Sequence, residues 1–193
     1  MKSFDDILAA ARACTLCAGS LEPNPVVRMS PRSRILVIGQ APGSKVHASG
    51  IPWDDASGDH LLEWLAVGRA TFEDPELFGI LPSALCYPGK GPSGDLPPPP
   101  ICERTWHGPL LDAMERPPEL TLLVGMYAVR NVLGKRMKRT LTETVRAFDA
   151  FGPSHFPLPH PSWRSKTWMK KNPWFATDVL PELRRRVAQA SDR

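Results

Sequence analysis

The residues best suited to bind a metal are four cysteines. They are Cys14, Cys17, Cys86 and Cys102, and the first two form the motif CTLC. Disulfides are disfavoured in the cytosol, so a close pair of thiols together with a wider pair indicates metal ligation. Zinc and an iron–sulfur cluster each accept four thiolates, and the spacing leaves both open. The alternative is four small buried hydrophobic side chains that share no site.

Two further segments follow predicted strands. GQAPG, residues 39–43, follows the apolar run RILVIG at 34–39, and HPS, residues 160–162, comes at the end of HFPLPH at 155–160. Ligands of parallel sheets bind at the carboxyl ends of the strands. The candidate site is therefore placed at these two segments.

Alternating strands and helices must position these groups. The predicted strands are RILVIG (34–39), FGILPSAL (78–85), ELTLLVGM (119–126) and HFPLPH (155–160). The predicted helices are DDILAAARA capped by Ser3, GDHLLEWLAVG (58–68), residues 103–115, YAVRNVL (127–133), TLTETVRAF (140–148) and NPWFATDVLPELRRRVAQA (172–190). Residues 39–58 and 86–102 are predicted loops, with the prolines at 97–100 as an extended spacer. This order predicts a three-layer α/β sandwich with a mainly parallel four-stranded sheet flanked by helices.

Composition sets the broad class. A chain of 193 residues that is 42% hydrophobic predicts a single domain spanning 1–193. It contains no apolar run long enough to span a membrane, and acids interrupt the only candidate signal segment, so we expect a cytoplasmic protein. We also expect a monomer. The net charge of +4 permits a polyanionic partner. Lysines and arginines crowd the C-terminal part of the chain, which predicts a basic face there.

Taken together, these motifs resemble the uracil-DNA glycosylase superfamily, most closely its iron–sulfur group, the family 4 enzymes. The resemblance rests on CTLC, GQAPG, GIPWDDASG at 50–58, the cysteines around the Pro-rich loop, and HPS, in this order. It spans the chain from Cys14 to about Phe175. It implies a DNA glycosylase acting on DNA with a damaged base, and four cysteines that hold a 4Fe–4S cluster.

The resemblance also assigns roles to matching positions. Trp53 takes the place of the family's phenylalanine and would stack on a base flipped out of the duplex. His160 matches the motif histidine and would donate a hydrogen bond to the base carbonyl where negative charge develops. The backbone N–H groups of Gln40 and Ala41 would contact the same base.

Besides Trp53, the chain departs from the family pattern at positions 40 and 82 and at residues 44–47, which replace the acids that follow the family's motif. Gln40 replaces the glutamate of the family 4 motif GEAPG, and Pro82 stands where the family has its uracil-reading asparagine. Glutamine takes up no proton near neutral pH and is therefore excluded as a general base. The base removed and the group that activates water are both left open.

Three side chains beside Trp53 are candidates for holding the water. They are Asp54, Asp55 and His47, and His47 is also a candidate contact to the base. Asp55 is preferred, because alternation in an extended segment would place it on the same side as Trp53.

Beyond the motif histidine, the superfamily has a loop that enters the minor groove. Here the stretch LPHPSWRSKTWMKKNPWF, residues 158–175, combines indole rings with cations. Wedging between bases is assigned to Trp163, Arg164 and Trp168, and contact with the DNA backbone to Ser162, Lys166, Lys170 and Lys171. Trp174 and Phe175 are expected to pack on the sheet.

Three functions remain open at this point. The first is a monofunctional DNA glycosylase that removes uracil or another deaminated base. The second is a catalytically weak or inactive protein of the same fold that binds damaged DNA. The third is a zinc-stabilised nucleic-acid module unrelated to repair.

Overall fold

The computed structural model describes residues 2–92 and 94–192 of the chain. Its strands are β1 Ile35–Ile38, β2 Phe78–Ile80, β3 Lys90–Gly91, β4 Gly94–Asp95, β5 Leu120–Val124 and β6 His155–Leu158. Four of them form a parallel sheet in the order β2-β1-β5-β6, and β3 and β4 form a separate antiparallel pair. The predicted α/β fold with a parallel four-stranded sheet is confirmed.

Helices cover both faces of the sheet. They are α1 Phe4–Arg12, α2 Ser44–Ser49, α3 Ala56–Leu65, α4 Arg69–Glu73, α5 Pro100–Asp112, α6 Met126–Leu133, α7 Leu141–Arg146, α8 Trp163–Lys171 and α9 Leu180–Ser191. Along β1, Ile35 and Val37 pack with residues of α3 and α9, while Leu36 and Ile38 pack with residues of α1, α5 and α6. Because successive strand residues face opposite sides, β1 is buried on both faces, as its continuous apolar sequence predicts. No helix within the described ranges is both long and apolar enough to cross a membrane.

The predicted loop at residues 39–58 contains two helical segments. Helix α2 occupies Ser44–Ser49 and ends at Gly50, whose φ of +70° favours glycine. Helix α3 begins at Ala56, and the side chain of Asp55 caps it by accepting a hydrogen bond from the N–H of Gly58 at 2.9 Å. The continuous loop was therefore a wrong prediction.

The Pro-rich segment at residues 86–102 is also more ordered than predicted. It contains the β3–β4 pair, and the last proline of the run, Pro100, is the first residue of α5. Proline suits that position because its fixed φ is helical and its missing N–H has no intrahelical acceptor there. The helix then continues through Pro109 to Asp112.

The stretch at residues 158–175 forms a helix where a loop was expected. Helix α8 has nine residues, and the prolines at 159, 161 and 173 flank it without interrupting it. Proline disrupts a helix only from within, so these positions are compatible with a short, well-defined segment.

The predicted basic C-terminal face is divided between two helices. On α9, Arg184 donates to the carbonyl of Trp64 at 3.1 Å, while Arg185 and Arg186 pair with Glu182. The hydrogen bond from Arg185 is the main cause that lowers the pKa of Glu182 to about 2. The guanidinium groups of α9 are therefore engaged in hydrogen bonds and ion pairs. Helix α8 is the more exposed basic element of this part of the chain.

Candidate active site

A cavity of about 430 Å³ lies at the carboxyl ends of β1, β2 and β6. Its lining includes residues 39–43, Trp53, Asp55, Ser57, Ile80, Pro82, Asp95, His160, Ser162 and Arg164. Its volume falls within the range of small-molecule pockets, roughly 300–1,000 Å³. The structure thus brings together both segments that the sequence places after strands.

The indole of Trp53 is held mainly by its own backbone. Trp53 has a φ of +59°, which is uncommon for a bulky residue, and Arg69 donates to its carbonyl oxygen at 3.0 Å. A Cβ on Gly58 would lie only 1.8 Å from that oxygen. The ring packs over Gly39, where an added Cβ would be 3.1 Å from the ring edge. The two glycines therefore leave the space that this turn and its ring occupy.

His160 lies beside Trp53 in the lining of the cavity. The centroids of the two rings are 6.1 Å apart and their planes are inclined by 32°. Burial lowers the pKa of His160 below its ordinary value, and the carboxylates of Asp55 and Asp95 oppose this only in part. The imidazole is therefore neutral near pH 7 and is able to donate one N–H to a ligand.

Asp55 contributes one oxygen to the helix cap and one to the cavity side. Oδ1 accepts from the N–H of Gly58, while Oδ2 lies near Gly43, 3.7 Å from the position of an added Cβ. Asp55 shares the cavity with Trp53, but not through the alternation that the sequence suggested. The reason is a left-handed turn at Trp53 followed by the start of α3.

The backbone after β1 supplies the floor of the cavity. The carbonyls of Gly39 and Gln40 accept from the N–H groups of Ser83 and Ala84 at 2.9 and 3.0 Å. Within residues 2–92 and 94–192, the N–H groups of Gln40 and Ala41 have no backbone acceptor. Both residues line the cavity, and no backbone bond among the described residues would compete with a ligand for these two donors.

Asp95 is a cavity residue that the sequence did not suggest. It lies on β4, and its Oδ1 accepts a hydrogen bond from the hydroxyl of Tyr87 at 3.1 Å. Sequence gave no indication of this, because an acid in a Gly/Pro-rich segment is usually a solvated loop residue. Only the fold brings β4 to the ends of the main strands.

Two of the three residues predicted to hold the water lie outside the cavity. His47 is on α2, with Nε2 3.6 Å from a carboxylate oxygen of Glu22 and its ring 6.0 Å from that of Tyr87. Its neighbour Val46 lines the cavity instead, because successive helix residues point about 100° apart. Asp54 is exposed and is not part of the lining. Of the three residues predicted to hold the water, Asp55 is the one that lines the cavity.

One wall of the cavity is anchored from α5. His107 is buried, and its Nε2 lies 3.0 Å from the carbonyl oxygen of Pro82. Since a carbonyl only accepts, the proton is on Nε2. Pro82, which stands where the resembled family has an asparagine, thus has its carbonyl held by a hydrogen bond from α5.

Replacing His107 by alanine is expected to lower the free energy of unfolding by about 1–3 kcal/mol, because the buried Pro82 carbonyl loses its donor. Urea denaturation measures this. His107→Gln, which retains an N–H donor of similar reach, should recover part of the loss. Equal destabilisation by both variants would show that the hydrogen bond contributes little.

Helix α8 presents an aromatic and basic face beside the cavity. The side chain of Trp163 is 72% exposed, and the guanidinium of Arg164 lies 5.1 Å from the centre of its indole. Lys166 and Lys170 follow Trp163 at spacings that place all three on one side of the helix. Lys171 is also exposed. We name Trp163, Arg164, Lys166 and Lys170 the α8 face.

Trp168 is not part of the α8 face. Its Nε1 donates to Thr142 at 3.0 Å, and its ring packs edge-on against Trp174 and Phe175. The prediction that Trp168 wedges between bases was therefore wrong. Trp174 and Phe175 pack on the core, as expected.

The four cysteines line a second cavity. Cys14, Cys17, Cys86 and Cys102 are free thiols around a small, almost wholly apolar space. Among the described residues, no group of three or more His, Cys, Asp or Glu side chains is arranged to hold a single metal ion. Burial raises the pKa of Cys86, and it raises that of Cys102 to about 11. A metal would therefore have to displace protons from these thiols.

Other groups at this second cavity are suited to sulfur ligands. The N–H of Leu85 donates to Sγ of Cys102 at 3.1 Å, the type of bond that stabilises metal-bound thiolates. Trp106 also lines the space, and its Nε1 is a buried donor with no hydrogen-bond partner among the described residues. The donor set is thus four thiols with N–H groups beside them.

Comparison with protein families identifies the fold. A family model described as the uracil DNA glycosylase superfamily matches residues 27–184, most of the chain. The chain belongs to the uracil-DNA glycosylase superfamily. In this superfamily member, the matched range contains Gln40, Trp53, His160 and the α8 face, together with Cys86 and Cys102. Cys14 and Cys17 precede it, and assignment to the iron–sulfur family stays a prediction.

Proposed function

We propose that this superfamily member is a monofunctional DNA glycosylase that hydrolyses the N-glycosidic bond of uracil or another deaminated base. The observation that carries the proposal is that Trp53 and His160 line the same cavity, with 6.1 Å between their ring centroids. An aromatic face and a neutral imidazole donor are what a flipped base requires as it leaves with the bonding electrons.

The predicted site residues then each have a role in the reaction. The base stacks on Trp53, which is worth about 1–3 kcal/mol, while the N–H groups of Gln40 and Ala41 contact its edge. As the bond to the sugar breaks, its electron pair moves to the base, and His160 donates a hydrogen bond where that charge collects. Asp55 holds a water through Oδ2; the water adds to the sugar carbon and its proton passes to the carboxylate.

The cysteine cavity supports a 4Fe–4S cluster as the cofactor, held by Cys14, Cys17, Cys86 and Cys102. Zinc is the alternative. A single zinc ion draws four sulfurs within about 2.3 Å of one point, whereas a cluster binds each thiolate to a different iron and needs wider spacing. Four thiols around one cavity, with the N–H of Leu85 donating to the sulfur of Cys102, support the cluster. It would be structural, fixing the segments after α1 and β2 to α5.

A panel of labelled oligonucleotides tests the activity. Single and double strands containing uracil, hypoxanthine or xanthine are incubated with the protein and then cleaved at abasic sites with alkali. At least one base should yield abasic sites, while undamaged strands should yield none. The absence of abasic sites with every base would reject the glycosylase.

The second candidate is a sensor that binds damaged DNA without excision. It is favoured by Gln40, which has no proton-accepting carboxylate, and by Pro82, which offers no side-chain hydrogen bond to a base. In the same panel, tight binding to a damaged strand without abasic sites would establish it.

The α8 face is expected to bind the DNA backbone. Lys170→Ala should weaken affinity and lower the slope of log K against log salt by about 1, while the excision rate at saturating protein stays within about twofold. Binding titrations at several salt concentrations measure this. Lys135→Ala is the control, because Lys135 follows the far end of α6, which leads away from the site. Equal losses of affinity in both variants would contradict a DNA-binding role for the α8 face.

A further inference from the structure

Trp106 lines the cysteine cavity and has a donor that the described residues leave unsatisfied. Trp106 Nε1 is buried and has no hydrogen-bond acceptor within residues 2–92 and 94–192. Buried polar groups in native proteins are nearly always paired, so an acceptor other than the described residues is expected for this N–H. By contrast, the half-buried Trp168 bonds to Thr142.

The helix places Trp106 beside one of the thiols. Cys102 and Trp106 are four residues apart on α5, so their side chains lie on the same face of the helix. Both line the cavity that also contains Cys14, Cys17 and Cys86. A water molecule is a poor partner there, because it needs several polar neighbours and the lining is almost wholly apolar.

We propose that the indole N–H of Trp106 donates a hydrogen bond to a sulfur atom of the cluster bound by the four cysteines. This rests on the cluster of the proposed function. Trp106 is then a positioning residue: together with the Leu85 N–H on Cys102 Sγ, it places a second N–H···S bond at the cluster. Zinc would offer no inorganic sulfide to accept this bond.

The bond has a predictable electronic effect. Reduction adds negative charge to the cluster, and a hydrogen bond to sulfur stabilises that charge. Removing the donor should disfavour reduction by about tenfold, which for a one-electron couple is a shift of about 59 mV to more negative potential. Repacking of an apolar neighbour without loss of a hydrogen bond has no reason to shift the potential in this direction.

The holoprotein is compared with Trp106→Phe, which keeps an aromatic ring and removes the N–H. Trp168→Phe is the control, since it removes an indole donor that bonds to Thr142. Electrochemical titration gives the reduction potential, and resonance Raman spectra in H₂O and D₂O give the isotope shift of the Fe–S stretching bands. In Trp106→Phe the potential should fall and part of the isotope shift should vanish, whereas Trp168→Phe should match the unaltered protein.

A second measurement needs no variant. In unaltered protein labelled with ¹⁵N-tryptophan, the reduced cluster should show magnetic coupling to one indole nitrogen. Full iron content with no such coupling, or an unchanged potential and isotope shift in Trp106→Phe, would overturn the Trp106 bond while leaving the cluster in place. Protein that contains zinc and no iron after anaerobic purification would overturn the cluster itself, and the glycosylase activity is judged separately by the oligonucleotide panel.

Discussion

Replacing His160 by alanine is expected to lower the single-turnover rate of base excision by about 10²–10³-fold, the usual effect of removing one donor from a site of developing negative charge. Affinity for damaged DNA should change little, because phosphate contacts dominate it. Single-turnover kinetics with saturating protein separates the two quantities.

The pH dependence of the rate tests the same assignment. Burial lowers the pKa of His160, so the neutral imidazole persists below its ordinary pKa of about 6.5. Activity should therefore hold to below pH 6.5 and fall only as the ring gains a proton, and this acid limb should weaken in His160→Ala. A rate that rises as the ring is protonated would assign the charged form instead.

His155 provides a matched control. It stands at the first residue of β6, at the edge of the sheet opposite the cavity, whereas His160 follows the last. His155→Ala should leave the excision rate within about twofold. Similar losses in both variants would indicate general damage to β6 and no specific role for the imidazole of His160.

Replacing Gly58 by alanine is expected to damage both stability and rate. The new Cβ would lie 1.8 Å from the carbonyl oxygen of Trp53 and 2.7 Å from its carbonyl carbon, and neither is a flexible side-chain atom. The peptide must shift, which strains the hydrogen bond from Arg69 and the cap formed by Asp55. We expect a loss of about 1–3 kcal/mol in the free energy of unfolding. Displacement of the indole should lower the excision rate by about 10²-fold.

The control for this change is Gly68→Ala. Gly68 lies between α3 and α4 with a φ of −77°, and an added Cβ would meet nothing within 4 Å. Its stability should stay within about 1 kcal/mol of the unaltered protein, with an unchanged rate. Thermal or urea unfolding and single-turnover excision measure both variants. If Gly58→Ala behaved like Gly68→Ala, the backbone contact at Trp53 would not control the position of the ring.

The sequence predicted the scaffold because its strongest patterns are those of buried strands. ILVI and LTLLV are apolar on both faces, and each is covered by helices on both sides. The meeting of His160 and Gln40 then followed from the rule that the ends of parallel strands lie at one edge. Trp53 and Asp55 share the cavity as well, although through a left-handed turn that no local pattern announced.

The short helices and strands could not be predicted from the sequence. Helix α2 has six residues, and the β3 and β4 strands have two each, too few for a periodic pattern. His47 was placed at the base because a loop was assumed where a helix turns its ring away. Asp95 was missed and Trp168 was misplaced for the related reason that tertiary contacts, not spacing, decide which side of a short segment faces a cavity.

The support of Trp53 has a consequence for how the pocket could diversify. Its carbonyl is fixed by Arg69 and its backbone by the absence of a side chain at Gly58, so the shape of this turn is specified by neighbours and not by the indole. Another flat ring at position 53 would be carried in the same place. A single substitution at residue 53 would therefore change the area that the pocket offers for stacking on a nucleobase, while the surrounding backbone stays the same.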